Sequence, residues 1–543
     1  MNEKKSFLIL TLGCKLNQLE SESITDTFKR AEFVEAVTGD LGPGTSDGNQ
    51  SFANSPTIIV INTCTVTSKA DQKARRVIRK ALRDYPDAGV IVTGCYAQLN
   101  KDDLQKLDAE NSQRLFVVKK DKILDLIDYL NRNERASNAS ELIFKINSYL
   151  CAANQRFDAP LRDDNDNAPL RDNNSIFQFN PKHFSAHTRS FLKIQDGCDK
   201  HCTYCKIRLA RGKSVSLEAE EVLSRLRILE QNHAEAVLTG VNISQYDDFE
   251  FFNHEPHELI PSVCTRTEER EKILNLAGLL EFLLNSTDKI AIRLSSLAPE
   301  IVDEKLCVVL SHPRIRSHFH LSIQSCSEKI LAKMGRNYNA QIIERAVSLL
   351  RKAKNDPFLA CDIITGFPGE TDTEFEETFS LCEKLDFAWI HVFPYSKREG
   401  TPAFSFSDNV HESDVTKRVE RLTELAEKGK ARYVERWIGK EVEVLVEGRE
   451  NRNHGLPQIK RISTDFLRPE ENDNFKTCYG TSENYLKALV RCNGDEAPSP
   501  GDVVFCRLTE KGDGKNVDVV GEIYGKKNIN FSSKPLDKSR KKI

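Results

Sequence analysis

Residues 195–205 carry three cysteines whose spacing suits an iron–sulfur cluster. The run reads Gln-Asp-Gly-Cys-Asp-Lys-His-Cys-Thr-Tyr-Cys, which places thiols at Cys198, Cys202 and Cys205. Cysteine thiolates are the usual protein ligands of such clusters, and three of them leave one iron of a cubane open. An open iron can chelate the amine and carboxylate of a small molecule. The alternative is a structural zinc loop, with His201 or a distant cysteine as the fourth ligand.

Three further cysteines each follow a predicted strand. Runs at 7–12, 57–61 and 89–93 are aliphatic on both faces, which is typical of buried parallel strands. The cysteines that come just after them are Cys14, Cys64 and Cys95. Because the carboxyl ends of parallel strands share one edge, we expect these thiols to converge and bind a second cluster, again with one open iron. Any one of them alone would more often be a buried free cysteine.

We refer to Cys198, Cys202 and Cys205 as the loop trio, and to Cys14, Cys64 and Cys95 as the auxiliary trio.

The loop trio belongs to a region of alternating strands and helices. Its six predicted strands are 191–194, 234–239, 290–294, 318–323, 359–364 and 387–393. Six units are two short of a full barrel, so the pattern predicts an open (β/α)6 partial barrel with its chemistry at the strands' carboxyl ends.

The fold class is therefore α/β, with five predicted parts. Residues 1–130 form an open α/β domain that carries the auxiliary trio, and 131–186 form a flexible insert with a short Ala-Pro-Leu-Arg-Asp repeat. Residues 187–437 form the partial barrel. Alternating valines and short strands at 441–447, 485–490, 502–508 and 517–523 predict a small closed barrel over 438–525. A basic tail over 526–543 completes the chain.

Local charge is more informative than net charge. The 543 residues carry a net charge of −3, which gives no global attraction to nucleic acid. Residues 67–84, however, predict a helix with seven Lys or Arg against Asp71 and the terminal Asp84, a density suited to phosphate contact. A solvated helix face and a solubilising tail are the alternatives for the two basic stretches.

Composition indicates the compartment and argues against a membrane protein. Fifteen cysteines at no regular spacing, together with an N-terminus that does not resemble a signal peptide, predict reduced thiols and a cytoplasmic location. No apolar run approaches the roughly 20 residues that a membrane span needs. With 39% hydrophobic residues, we expect a globular chain that buries real hydrophobic cores.

The loop trio resembles the cluster loop of the radical S-adenosylmethionine (SAM) enzymes, in which an aromatic residue, here Tyr204, precedes the third cysteine. The resemblance extends to short motifs that follow the later predicted strands. It implies that the loop trio holds a [4Fe-4S] cluster and that the following residues bind SAM: Tyr204, Thr239, Gly240, Ser295, Ser296, Gln324, Ile363 and Gly366. Each of these except Tyr204 is, taken alone, equally typical of an ordinary strand-to-helix turn.

The whole chain resembles the methylthiotransferases. The motifs at 11–21, 93–98 and 394–403 are most similar to the branch that acts on N6-threonylcarbamoyladenosine-37 of tRNA, and Leu-Gly-Cys-Lys at 12–15 separates it from the other branches. The C-terminal strands resemble a TRAM domain, an OB-like RNA-binding barrel. Departures are Cys326, where the family usually has Gly, and inserts near 38–56, 131–186, 247–272 and 451–477.

The resemblance implies two [4Fe-4S] clusters, SAM as cosubstrate and the anticodon loop of tRNA as partner. Reductive cleavage of SAM at the loop trio would generate a 5'-deoxyadenosyl radical, and the auxiliary trio would supply sulfur for methylthiolation of C2. A protein one-electron reductant and a sulfur donor are implied, with the chain acting as a monomer and without a membrane. The alternatives are a methylthiotransferase for isopentenyladenosine-37 or for a ribosomal protein side chain, and a non-catalytic iron–sulfur RNA-binding scaffold.

Overall fold

The computed structural model describes residues 5–36, 55–108, 113–132, 138–156, 176–181, 184, 188–249, 251, 273–449, 476–492 and 497–527. The chain divides into two compact units. The first comprises Met1–Pro181, Gln195–Leu217 and Ser396–Ser405, and the second comprises Lys182–Ile194, Glu218–Tyr395 and Phe406–Ile543. Across the described ranges, no helix is both long enough and apolar enough to pass through a membrane.

The strands are, in chain order, β1 (Ser6–Thr11), β2 (Val34–Glu35), β3 (Ile58–Thr63), β4 (Gly89–Gly94), β5 (Leu115–Val117), β6 (Ser190–Lys193), β7 (Gln195–Asp196), β8 (Val215–Ser216), β9 (Glu235–Thr239), β10 (Asp247–Asp248), β11 (Leu274–Asn275), β12 (Ala291–Leu294), β13 (His318–Gln324), β14 (Phe358–Thr365), β15 (Trp389–Pro394), β16 (Glu441–Arg449), β17 (Lys476–Ser482), β18 (Lys487–Cys492), β19 (Val503–Lys511) and β20 (Val519–Lys526). The helices are Lys15–Arg30, Ser68–Asp84, Cys95–Leu99, Lys101–Gln105, Lys120–Arg132, Ala139–Arg156, Ile207–Arg211, Ala219–Glu230, Leu276–Ser286, Glu304–Leu310, Glu328–Met334, Ala340–Ala353, Asp372–Lys384 and Glu412–Trp437.

The first unit is built on a parallel sheet of order β2-β1-β3-β4-β5. Every residue of β3 and β4 is buried, because a parallel sheet is covered on both of its faces. The three strands predicted from the sequence are confirmed as β1, β3 and β4. The prediction missed β2 and β5, because strands of two and three residues carry no recognisable periodicity.

Part of the predicted flexible insert is ordered. Ala139–Arg156 forms a helix, and Leu142 and Ile146 on it are fully buried. Its Ile143 and Ile146 side chains pack within 4 Å of the position that a Cβ would take on Gly89, at the start of β4. The expectation of flexibility is therefore wrong for this stretch, since these apolar side chains give it a surface to bury. The Ala-Pro-Leu-Arg-Asp repeat lies outside the described residues.

The central strands of the second unit follow the predicted order. Parallel sheets β12-β9-β6 and β13-β14-β15 contain the six predicted strands, and isolated bridges Ile292↔Ile315 and Leu297↔Leu321 connect them. Helices separate successive strands, which confirms the α/β class and the parallel arrangement. The Asp372–Lys384 helix begins with the predicted capping box of Thr371 and Glu374.

The predicted small barrel is confirmed as a closed five-stranded barrel of order β16-β17-β18-β20-β19. The sequence predicts four of its strands. It misses β17, whose Lys-Thr-Cys-Tyr-Gly-Thr-Ser run lacks clear alternation and begins inside a predicted insert. The barrel interior joins Phe358 of β14 and Tyr433 of the Glu412–Trp437 helix in one hydrophobic core, which is why the barrel packs within the second unit.

Candidate active site

The auxiliary trio lies at one edge of the first sheet. Cys14 is the N-cap of the Lys15–Arg30 helix after β1, Cys64 follows β3, and Cys95 begins the Cys95–Leu99 helix after β4. Burial, with a smaller contribution from the nearby Cys14 and Cys95, raises the pKa of the Cys64 thiol to about 11. The structure therefore brings together the three cysteines that the sequence predicted to converge.

Glycines allow the thiols to approach one another. Gly13 has φ +121°, and a Cβ there would lie 2.5 Å from Cys64 Cβ. Gly94 has φ +100°, and a Cβ there would collide with the backbone of Thr63. Only glycine adopts these conformations without strain and without that overlap.

Polar side chains next to the auxiliary trio link the elements that carry its cysteines. Asn17 Nδ2 donates to Asn62 Oδ1 at 2.9 Å and to the Thr63 carbonyl at 3.0 Å. The Cys14 thiol donates to Asn17 Oδ1 at 3.3 Å. Thr63 Oγ1 donates to the Thr93 carbonyl at 2.5 Å. These bonds cross from the first helix to β3 and β4, so they fix the relative positions of the strand ends that carry the cysteines.

The loop trio also belongs to the first unit, and its cysteines are half-buried. The Cys198 N–H donates to the Gly212 carbonyl at 3.0 Å, and the Cys205 N–H donates to the Cys202 carbonyl at 3.1 Å. Tyr204, half-buried, precedes Cys205 as the sequence shows. These bonds close a compact loop whose half-buried cysteines remain accessible enough to bind a small group.

Neither trio is arranged as the ligands of a single metal ion. Within the described ranges, no three His, Cys, Asp or Glu side chains are grouped closely enough for that. His201, the fourth ligand of the zinc alternative, instead has Nδ1 at 2.7 Å from Arg208 Nη1. Cubane clusters are held differently, because each thiolate binds its own iron. The donor sets therefore fit two clusters, each held by three thiolates, better than they fit one zinc ion.

One arginine contacts both thiol-bearing loops. Arg211, on the short helix after the loop trio, donates Nε to Cys95 Sγ at 3.2 Å and Nη1 to Asp196 Oδ2 at 3.0 Å. Its Nη2 donates to Glu20 Oε1 at 3.0 Å. Burial lowers the pKa of Arg211, but the charges of Asp196, Cys95 and Glu20 outweigh burial and raise it well above its ordinary value. The guanidinium is therefore a permanent buried cation.

A second arginine supports the segment after Cys64. Arg398 Nη2 donates to the Thr65 carbonyl at 2.8 Å and forms an ion pair with Asp71 at 2.9 Å. The neighbouring Ser396 hydroxyl lies 2.7 Å from the Ser68 hydroxyl. Ser396 and Arg398 come from the 394–403 motif, most of which belongs to the first unit. The motif therefore positions the start of the Ser68–Asp84 helix and the residue next to Cys64.

The other predicted SAM contacts belong to the second unit. Thr239 ends β9 and accepts a hydrogen bond from the Ile194 N–H at 2.9 Å, and Gly240 follows it. The Ser295 N–H donates to the Leu238 carbonyl at 3.0 Å, and the Ser296 hydroxyl lies 2.5 Å from His320 Nδ1. Ile363 is buried inside β14 and does not follow it.

Two of these positions have unusual main-chain conformations. Gln324, at the end of β13, has φ +71°, and Gly366, after β14, has φ +76°. A Cβ on Gly366 would lie 2.5 Å from Val415, and its N–H donates to Glu370 Oε2 at 2.6 Å. Cys326, which departs from the family pattern, lacks a positive φ and is buried. The left-handed residue of this turn is Gln324, so Cys326 introduces no backbone strain.

Comparison with known proteins finds two family models that match this chain. The model of the radical SAM superfamily matches residues 192–382, and that of an uncharacterized protein family, UPF0004, matches residues 6–115. The chain is thus a radical SAM protein with a second characteristic domain.

Curated relatives identify the family within that superfamily. A threonylcarbamoyladenosine tRNA methylthiotransferase MtaB of Treponema pallidum is 38% identical over 93% of this chain and 99% of its own. The Bacillus subtilis protein of the same name is 30% identical over 92% and 93%. A tRNA-2-methylthio-N(6)-dimethylallyladenosine synthase of Bacillus licheniformis is 29% identical over 88% and 81%. The chain belongs to the family of threonylcarbamoyladenosine tRNA methylthiotransferases.

Sequence reasoning missed several residues around the thiols. Lys120 and Arg211 contact Cys95, Glu20 bonds to Lys120, and Arg398 contacts Thr65 in the segment after Cys64, yet none was predicted to act at the site. Glu20 and Arg398 occur within motifs that resemble the family, but spacing alone does not tell which motif residues face a thiol. Charge within otherwise apolar or cysteine-bearing segments is the one signal that could have marked them.

Proposed function

We propose that this chain converts N6-threonylcarbamoyladenosine at position 37 of tRNA to its 2-methylthio derivative by radical SAM chemistry. The observation that carries the proposal is the presence of two thiol trios in one compact unit, with Arg211 contacting both thiol-bearing loops. A single trio would suit many radical SAM reactions. A second trio, at the carboxyl edge of its own sheet, provides a place for the sulfur that methylthiolation requires.

In this proposal each trio binds one [4Fe-4S] cluster through its three thiolates. When bound, the clusters and SAM supply one-electron chemistry and a transferable sulfur. The chain's own residues do the positioning. Gly13 and Gly94 let the thiols approach, Asn17 fixes the strand ends, and Arg398 holds the segment after Cys64.

The predicted SAM contacts remain part of the proposal. We assign Tyr204, Thr239, Gly240, Ser295, Ser296, Gln324, Ile363 and Gly366 to SAM binding, supported by their match to family motifs. Gly366 is supported further by its conformation, since its N–H bonds to Glu370, which Arg418 Nη1 holds at 2.9 Å. Such a braced loop gives backbone atoms a fixed position against a ligand.

We also propose that tRNA enters with its anticodon loop, where the target base is single-stranded and inexpensive to present. A protein one-electron reductant and a separate sulfur donor complete the reaction, in the cytoplasm, with the enzyme as a monomer. The exposed basic face of the Ser68–Asp84 helix and the five-stranded barrel are the surfaces that support tRNA binding.

The decisive experiment is mass spectrometry of tRNA nucleosides from cells with and without this gene. We expect 2-methylthio-N6-threonylcarbamoyladenosine to disappear without the gene and to return with the wild-type chain. Cys64→Ala should fail to restore it, because one corner of the auxiliary cluster loses its thiolate. Cys151→Ala is the matched control, since Cys151 is an exposed thiol that belongs to neither trio.

The outcomes separate the alternatives. Loss of the methylthio derivative of isopentenyladenosine alone would reassign the substrate within tRNA. An unchanged nucleoside profile with 5'-deoxyadenosine formation by the reduced protein would point to a protein side chain. An unchanged profile without 5'-deoxyadenosine would leave a non-catalytic scaffold.

A further inference from the structure

Four charged side chains lie around the sulfur of Cys95. Arg211 Nε donates to Cys95 Sγ at 3.2 Å, and Lys120 Nζ donates to the same sulfur at 3.5 Å. Glu20 accepts from both cations, and Asp196 accepts from Arg211. The cations therefore contact the sulfur directly, and the carboxylates are partners of the cations.

The cations have little freedom to turn away. Glu20 accepts from Lys120 Nζ at 2.8 Å with each oxygen and from Arg211 Nη2 at 3.0 Å. The side chains of Arg211 and Glu20 are 5% and 2% exposed, and that of Lys120 is 15% exposed. Because Glu20 is shared, it keeps both cations at Cys95. A planar guanidinium with fixed partners on two sides presents its Nε–H in one direction only.

The surroundings of Cys95 differ from those of Cys14 in the same trio. The Cys14 thiol donates to a neutral amide oxygen, that of Asn17, at 3.3 Å. The Cys95 sulfur instead accepts from two cations that share one buried carboxylate. If Arg211, Lys120 and Glu20 formed only a structural ion network, the two cations would not need to contact the Cys95 sulfur.

Hydrogen bonds and charge at cluster sulfurs set the reduction potential of iron–sulfur centres. Donors to a ligating sulfur stabilise negative charge, and reduction of a cluster adds negative charge. We propose that Arg211 and Lys120 are positioning residues that raise the reduction potential of the auxiliary cluster through the Cys95 sulfur. The inference rests on the proposed function, because it requires a cluster at the auxiliary trio.

The arrangement also connects the two trios. Arg211 follows Cys205 by six residues, and Asp196, which accepts from it, precedes Cys198 by two. The guanidinium that contacts Cys95 is thus held by the ends of the loop that carries the other trio. The electronic setting of the auxiliary cluster therefore depends on the main-chain fold of that loop, whose ends are joined by the bond from the Cys198 N–H to the Gly212 carbonyl, and not on the thiols of the loop trio.

The test is a redox titration of the auxiliary cluster, followed by electron paramagnetic resonance of its reduced form. The full-length chain with all three cysteines of the loop trio replaced by Ala leaves one cluster to report. Variants Arg211→Gln and Lys120→Gln are compared in this background. We expect each to lower the reduced-to-oxidised ratio at a fixed potential at least tenfold, a shift of about 59 mV for one electron. Arg211→Lys should shift it less, because it keeps the charge.

Arg293→Gln is the matched control. Arg293 is as buried as Arg211 and bonds to the buried Glu235, but it lies in the second unit and its described bonds include no sulfur. The auxiliary cluster of the Arg293→Gln variant should have the same midpoint potential as that of the parent, the chain without the loop trio. Unchanged potentials in Arg211→Gln and Lys120→Gln, with a full complement of iron and sulfide, would overturn the inference alone. If Arg211→Gln loses iron, Lys120→Gln decides, since Glu20 then keeps Arg211 as a partner.

Failure of the underlying proposal gives a different result. If the parent chain without the loop trio binds no iron and sulfide after anaerobic reconstitution, the auxiliary cluster itself is refuted and the inference falls with it. Iron content thus tests the cluster, and the midpoint potential tests Arg211 and Lys120.

Discussion

At the scale of single residues, the position of Cys95 depends on the glycine before it. Gly94 ends β4 with φ +100°, and the strand edge leaves no room for a side chain, because a Cβ would overlap the backbone of Thr63. Thr63 is itself bonded to the Thr93 carbonyl. The Cys64 and Cys95 loops therefore tolerate little displacement at this point.

We predict that Gly94→Ala reduces iron bound at the auxiliary trio. The added methyl group must push Cys95 or Thr63 out of place, and alanine at φ +100° and ψ −175°, a region essentially confined to glycine, adds roughly 1–3 kcal/mol of strain. Iron and sulfide per chain, measured after anaerobic reconstitution of the protein without the loop trio, report the loss. Gly448→Ala is the control, because a Cβ there meets nothing within 4 Å and its φ is not positive. Equal iron in both variants would contradict the prediction.

At the scale of elements, the Ser68–Asp84 helix has one apolar face and one basic face. Ala74, Ile78 and Ala81 are buried against the sheet, while the basic side chains exposed on the other face are Lys69, Lys73, Arg76, Arg79 and Arg83. The single acid of the first turn, Asp71, pairs with Arg398 and so does not neutralise that face. The 3.6-residue period alone separates the two faces.

We predict that the double variant Arg76→Ser/Arg79→Ser weakens tRNA binding and makes it less dependent on salt. For each phosphate that the variant no longer neutralises, the slope of log affinity against log salt should fall by about 0.7–0.9. Binding is measured by titration with tRNA over a range of KCl concentrations. Lys305→Ser/Lys352→Ser removes two exposed lysines from the second unit and should leave the slope unchanged. An unchanged slope in the arginine variant would mean that the basic face is only solvated.

At the scale of the whole molecule, a buried ion network joins the C-terminal barrel to the parallel strands within the second unit. Glu235 of β9 accepts from Arg293 at 2.7 Å and from Arg316 at 2.8 Å. Arg316 also donates to Glu443 of β16 at 2.7 Å. Burial raises the pKa of Glu235, but the two arginines outweigh burial and lower it to about 2.

We predict that this network loses its contribution in acid. Because the pKa of Glu235 is lower in the folded chain, its stabilisation is complete above about pH 4.5 and is lost as the pH falls toward 2. Glu235→Gln should destabilise by roughly 3–5 kcal/mol at pH 6, as breaking a buried ion pair does. The difference in melting temperature between wild type and Glu235→Gln, measured on cluster-free protein, should decrease as the pH falls from 5 to 3.

The control for the acid prediction is Glu304→Gln, which removes an exposed ion pair with Arg345. Exposed pairs contribute little, so this variant should unfold close to wild type at every pH. If the difference in melting temperature between wild type and Glu235→Gln stays constant from pH 5 to pH 3, the carboxylate charge does not stabilise the fold.

The sequence by itself determined the two sets of three cysteines, the strands that precede the auxiliary trio and the parallel order of the central strands. These features are local, because apolar runs and cysteine spacing are visible within a dozen residues. Short strands such as β2 and β5, and the irregular β17, escaped prediction because their segments carry too few residues or too little alternation.

Only the tertiary structure decided what surrounds the thiols of the two trios. Glu20 and Arg211 are 191 residues apart, and Thr65 and Arg398 are 333 residues apart, so no local period relates them. Their encounter depends on how the segments 195–217 and 396–405 join the first unit. The cysteine pattern alone could predict the cluster ligands, but the charges around Cys95 follow from long-range packing, which chain spacing does not encode.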